Sequence, residues 1–177
     1  QELGRFEDSE ASLRQAIELE PKFTEAYYIL GKTLGELGRL DEAEASYNQV
    51  IALKPDYAEA FDNVGNILRE LGRLEEAEAS HRKAIALRPD LFQVYSNLGL
   101  TLQELGRLKE AEASHKQALA LEPDYAEAHS NLGLVLQELG RSEEAEVSHR
   151  KAIALQPNLA VAHSNLGVTL YDLGRLE

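Results

Sequence analysis

Residues 123–157 read "PDYAEAHSNLGLVLQELGRSEEAEVSHRKAIALQP", a stretch that begins and ends on a proline and carries a glycine pair in the middle. In its first half, "AEAHSNLGLVLQEL", apolar residues recur at helical rather than strand spacing between a Pro-Asp and Gly140. Gly140 stands where a left-handed helix cap is wanted, because glycine takes positive φ without a Cβ penalty. The second half resembles "LEEAEASHRKAIALRP" at 74–89, with acids in the first turn, bases later and a proline that cannot continue the helix. The stretch therefore encodes two helices, A and then B, joined by a tight link.

The pattern is periodic. Pro21, Pro55, Pro89, Pro123 and Pro157 fall 34 residues apart, and "ELGR" recurs in phase at 36–39, 70–73, 104–107 and 138–141. A fixed period in this range marks stacked repeats, each unable to bury its apolar stripe alone. Units run 24–57, 58–91, 92–125 and 126–159, flanked by a lone helix B in 1–23 and a lone helix A in 160–177, which makes ten helices in one array. Asp56 with Glu59, and Asp124 with Glu127, have the spacing of capping boxes for the following helices A.

Composition narrows the function. Of the 177 residues, 44% are hydrophobic, and 18 Lys+Arg stand against 31 Asp+Glu for a formal charge of −13. Such a surface repels phosphate backbones and anionic lipid, so neither nucleic acid nor membrane is an expected partner. No apolar run reaches the ~20 residues of a spanning helix, and the expectation is a soluble protein. The compartment stays open, with the cytoplasm the expected one. Zero cysteines exclude disulfides and thiolate chemistry. There is no methionine, and Gln1 falls inside a recurring "QELGR", so the chain reads as a piece of a longer protein.

On the positions Tyr95, Leu98, Gly99, Leu102, Ala111, His115, Ala118 and Pro123, and their equivalents in the other units, the chain resembles an array of tetratricopeptide repeats. The resemblance implies an all-α solenoid of antiparallel helix pairs, wound as a right-handed superhelix whose A helices line a peptide-binding groove. It implies no cofactor and no catalytic residue.

Helical geometry says which residues face that groove. At 100° per residue, His129, Leu132, Gly133 and Leu136 form a packing stripe, while Glu127, Asn131, Leu134 and Glu138 lie about 180° away. The asparagine column Asn63, Asn97, Asn131 and Asn165 is thus on the groove side, with Asn66, Leu100, Leu134 and Val168 three residues on. An amide pairs with both the N–H and C=O of a peptide unit. Helices roughly 8 to 10 Å apart and a strand rise of ~3.3 Å per residue let successive asparagines meet about every third ligand residue. The column also resembles the asparagine ladder in the repeat superhelix of O-linked N-acetylglucosamine transferases, Ile29 being the departure from it. The alternative for these amides is a solvated or locally paired role.

His81, His115 and His149 alternate with Tyr47, and His129 and His163 with Tyr27, Phe61 and Tyr95, so all five histidines read as packing residues and no metal site is expected. The column Glu36, Glu70, Glu104, Glu138 and Asp172 reads as solvated groove charge, and Arg39, Arg73, Arg107, Arg141 and Arg175 as cations favouring the helix A dipole. The favoured function is a non-catalytic module that binds a neutral or basic extended peptide. The alternatives are the substrate-presenting arm of a larger transferase, for example a glycosyltransferase, and an architectural spacer. The lone helices at the two ends predict end-to-end self-association through Leu166, Leu170 and Leu173 on one side and Leu13, Ala16 and Ile17 on the other.

Overall fold

A computed structural model describes residues 2–175, with side chains from 5 to 175. Among these the chain forms ten α-helices and no strand: α1 (Glu2–Leu19), α2 (Thr24–Glu36), α3 (Leu40–Leu53), α4 (Ala58–Glu70), α5 (Leu74–Leu87), α6 (Phe92–Glu104), α7 (Leu108–Leu121), α8 (Ala126–Glu138), α9 (Ser142–Leu155) and α10 (Ala160–Asp172). The even-numbered helices are A helices and the odd-numbered ones B, and the fold is an all-α solenoid of helix pairs.

Each A helix ends in the same backbone motif. Gly38, Gly72, Gly106, Gly140 and Gly174 adopt φ of +68° to +74°, so the following N–H turns back on the helix. In α8 the Arg141 N–H donates to Leu136 C=O at 2.9 Å and the Gly140 N–H to Gln137 C=O at 2.9 Å, the double closure of a Schellman cap. Arg141 then serves as the N-cap residue of α9, so two residues suffice to reverse the chain.

The capping boxes do not form. Tyr57 and Tyr125 occupy the N-cap positions of α4 and α8, and neither helix has a side-chain cap bond. The aspartates stand one residue too early and the glutamates at the second helical position, whereas the box needs the cap itself and the third. The Ala60 N–H turns back to Tyr57 C=O at 3.1 Å instead.

The chain divides into two compact units, Gln1–Arg88 and Pro89–Glu177. In the first, Leu30, Leu34, Val64 and Leu68 pack with Tyr47 and the fully buried Ala43 and Ala77. In the second, Leu98, Leu102, Leu132 and Leu136 take the equivalent places beside Ala111 and Ala145. Each such buried leucine contributes roughly 1.5 to 3 kcal/mol relative to exposure.

Histidine fills the space beneath the helical glycines. His81, His115 and His149 are wholly buried, and a Cβ built on Gly65 or Gly99 would stand 2.5 to 2.8 Å from the ring below it. Gly31 bears in the same way on Tyr47, at 3.0 Å from its distal ring atoms. The other two histidines do something different. His129 and His163 each direct Nε2 to the carbonyl of the proline six residues back, Pro123 and Pro157, at 2.9 Å. His163 is exposed, so here the packing expectation gives way to a hydrogen bond that braces the turn.

Candidate functional site

The asparagine column lies on the A helices, half-buried at each position. In the second unit Asn131 donates through Nδ2 to the Ser96 hydroxyl at 3.4 Å, and Asn165 to that of Ser130 at 3.3 Å. In the first unit Asn63 donates to the Tyr28 hydroxyl at 3.1 Å. Each of these amides reaches the residue one position earlier in the preceding helix A, which fixes the side chain with a single N–H. The amide oxygens of Asn131 and Asn165 take no protein partner. Geometry had placed the column opposite the core, but the smaller Ser96 and Ser130, almost wholly buried, let the amide of the next repeat lean inward.

Beside them Leu100 and Leu134 are half-buried and Val168 is 52% exposed. The acids of the column are not all solvated. Gln103 donates to Glu138 and, at 2.6 Å, Gln137 donates to Asp172, so a glutamine at the penultimate position of one helix A ties down the last acid of the next.

The first unit breaks this rule, because Gly35 occupies the glutamine's place. Among the described residues neither Glu70 nor Glu36 has a hydrogen-bond or ion-pair partner, and a recess of about 490 Å³ opens between α2 and α4, lined by Gly31, Gly35, Tyr47, Asn63, Asn66 and Glu70 among others. Tyr28 holds its edge, packed against Tyr47 and Tyr57 at ring separations of 5.5 and 5.4 Å. Burial, then the neighbouring Tyr28 and Glu36, raise the Tyr47 phenol above its ordinary range, so it stays protonated.

The arginines after the cap glycine are held in ion pairs with the helices B on either side. Arg141 grips Glu144 through Nε and Nη2 at 2.7 and 2.6 Å and reaches Glu112 of the preceding helix B through Nη1 at 2.8 Å. Arg39 and Arg73 do the same with Glu42 and Glu10, and with Glu76 and Glu44. These hydrogen bonds raise the guanidinium pKa and hold Glu42, Glu76 and Glu144 below the usual carboxylate range. The arginine column is spent on structure.

Burial pushes His115 down to about 4 and lowers His149 as well, so burial favours the neutral imidazole at both. Among the described residues no group of three His, Asp or Glu side chains is arranged to hold a metal, and no helix is long and apolar enough to cross a membrane.

Comparison with known proteins places this architecture. Three family models match, two described as "Tetratricopeptide repeat" over residues 1–58 and 90–158 and one as "TPR repeat" over 65–106. Among solved structures, TTC0263, a TPR protein of Thermus thermophilus, is 28% identical with a TM-score of 0.79, over 96% of this chain and 92% of that one. YrrB, titled a TPR protein with an unusual peptide-binding site, is 25% identical with a TM-score of 0.71, over 93% and 85%. MamA, at 24% identity and a TM-score of 0.78 over 89% and 92%, shares the fold. No curated protein sequence matches the chain. The helix pairs, their cap glycines and the three profile matches define a repeat protein of the interaction-module class. The chain belongs to the tetratricopeptide-repeat family.

Sequence reasoning missed two parts of this surface. The hydroxyl partners of the asparagines sit one position before them, where Tyr28, Ser96 and Ser130 are all hydroxyl-bearing, and that recurrence was the available signal. The recess was announced by Gly35, which stands where later repeats carry Arg69, Gln103 and Gln137.

Proposed function

We propose that the A-helix face is a non-catalytic binding surface for an extended peptide or protein segment, with Asn97, Asn131 and Asn165 on the ligand's backbone and Leu100, Leu134 and Val168 on its side chains. The observation that carries this reading is the state of Asn131 and Asn165: one N–H is bound to a serine hydroxyl, and the amide oxygen is left free to accept. An amide fixed in this way has lost its rotamer freedom before a ligand arrives, which lowers the cost of binding. The aliphatics three residues on supply apolar contact beside each amide.

The test is calorimetry against a peptide library, followed by variants of the same surface. Asn131→Ala should weaken the best binder about 3- to 10-fold, the worth of one hydrogen bond, and Leu134→Asp should weaken it further. A ligand that binds both variants as it binds the parent would sink the assignment. The transferase-arm reading rests on the likeness of the asparagine column alone, and no feature of the structure favours it over a free-standing module.

We also infer self-association between the two end helices. Leu166 and Leu170 of α10 are half-buried where their equivalents Leu132 and Leu136 are covered, while Leu13 and Ile17 of α1 pack against the core of the first unit and, with Ala16, keep part of their surface exposed. Partly covered faces of this kind are the two halves of a stacking contact.

A further inference from the structure

The recess in the first unit has the chemistry of a side-chain pocket, and it rests on the groove reading above. Its acceptors are the exposed Glu36 and Glu70 carboxylates, neither of which takes a hydrogen bond or ion pair among the described residues, and the amide oxygens of Asn63 and Asn66, and all four residues line it. Its floor includes the Tyr47 ring, whose distal atoms lie over Gly31. Tyr47 is only 4% exposed, yet its hydroxyl forms no hydrogen bond among the described residues. The hydroxyl is not sealed in the core and opens on the recess, where it can accept from a bound N–H donor. Lys32 is the single cation among the described lining residues, exposed on a flexible stem and paired with neither acid, so the lining carries a net negative charge.

In the second unit the equivalent acids are held by Gln103 and Gln137, and valine or leucine stands where Lys32 does. The recess thus differs from the equivalent places in the second unit in three ways: an absent glutamine, a carboxylate that no glutamine holds and a phenol in place of an imidazole. We propose that this recess receives an arginine side chain of a peptide or protein segment, its guanidinium between Glu36 and Glu70 and its apolar stem along Ile67 and Leu40. A guanidinium brings five N–H donors in one plane, which suits a lining that is rich in acceptors spread across two helices. Lysine's compact ammonium reaches fewer of them.

The experiment is an NMR titration of the ¹⁵N-labelled protein with N-acetyl-arginine methylamide, its citrulline isostere and the lysine counterpart. The arginine compound should give saturable shifts at the Gly31 and Gly35 amides and at the side-chain amides of Asn63 and Asn66, and citrulline should give none. Gly35→Gln installs the side chain that later units carry, and a Cβ at Gly35 meets nothing within 4 Å. It should keep the helical spectrum and weaken the arginine compound at least about fivefold, as should Glu70→Gln. Equal shifts from citrulline or lysine, or a Gly35→Gln protein that binds arginine as before, would overturn the proposal. The two readings fail separately. Peptides that need Asn131 but ignore an arginine substitution leave the groove standing and remove the pocket, whereas arginine binding with no peptide binding does the reverse.

Discussion

Glycine at the eighth position of helix A has opposite consequences in two repeats. At Gly133 a Cβ would overlap the buried ring of His149, whereas at Gly167 it would meet nothing within 4 Å. Gly→Ala in a helix interior ordinarily stabilises by roughly 0.5 to 1 kcal/mol through backbone entropy. That gain should appear in full for Gly167→Ala. For Gly133→Ala it should be overwhelmed by overpacking of about 1 to 3 kcal/mol, since the wholly buried His149 ring must shift to admit the methyl. Urea unfolding of the two variants beside the parent decides the matter, and a Gly133→Ala protein as stable as the parent would mean that the imidazole moves more easily than its burial implies.

At the level of elements, the starts of the A helices are backbone affairs. Asp56 precedes the N-cap by one residue and makes no bond to the helix. Asp56→Ala should therefore change stability by less than about 0.5 kcal/mol, where a working N-cap would cost about 1; a loss of that larger size in denaturant unfolding would restore the capping box. The helices themselves were legible in the sequence, because proline, cap glycine and the 3.6 period speak locally and repeat in phase. The burial of His81, His115 and His149 was legible too, since Tyr47 fills the same slot. The capping register was not, because one residue of phase separates a cap from a bystander and only the turn geometry sets it. The arginine pairs escaped for another reason: Glu112 and Arg141 are 29 residues apart, and only the stacking of one helix pair on the next brings them together. The same holds for Gln137 with Asp172, 35 apart, and so for the meaning of Gly35.

For the molecule as a whole, the proposed contact between the partly covered faces of α1 and α10 is the testable feature. Sedimentation over a wide concentration range should show growing oligomers, and Leu166→Glu with Leu170→Glu should return the chain to a monomer; oligomers that survive both charges would place the contact elsewhere. The arginine pairs have a consequence of another kind. Glu10 with Arg39, Glu44 with Arg73, Glu112 with Arg141 and Glu146 with Arg175 are each 29 residues apart, and Arg39, Arg73, Arg107 and Arg141 each grip an acid three residues on. Any cut that removes 34 consecutive residues leaves an arginine facing an equivalent glutamate on either side of the scar: with 108–141 gone, Arg107 is followed three residues later by Glu144. At the level of the gene, unequal crossing-over between misaligned copies would thus yield open reading frames in which this set of arginine–glutamate pairs is kept, so that array length can change by whole repeats with these contacts intact.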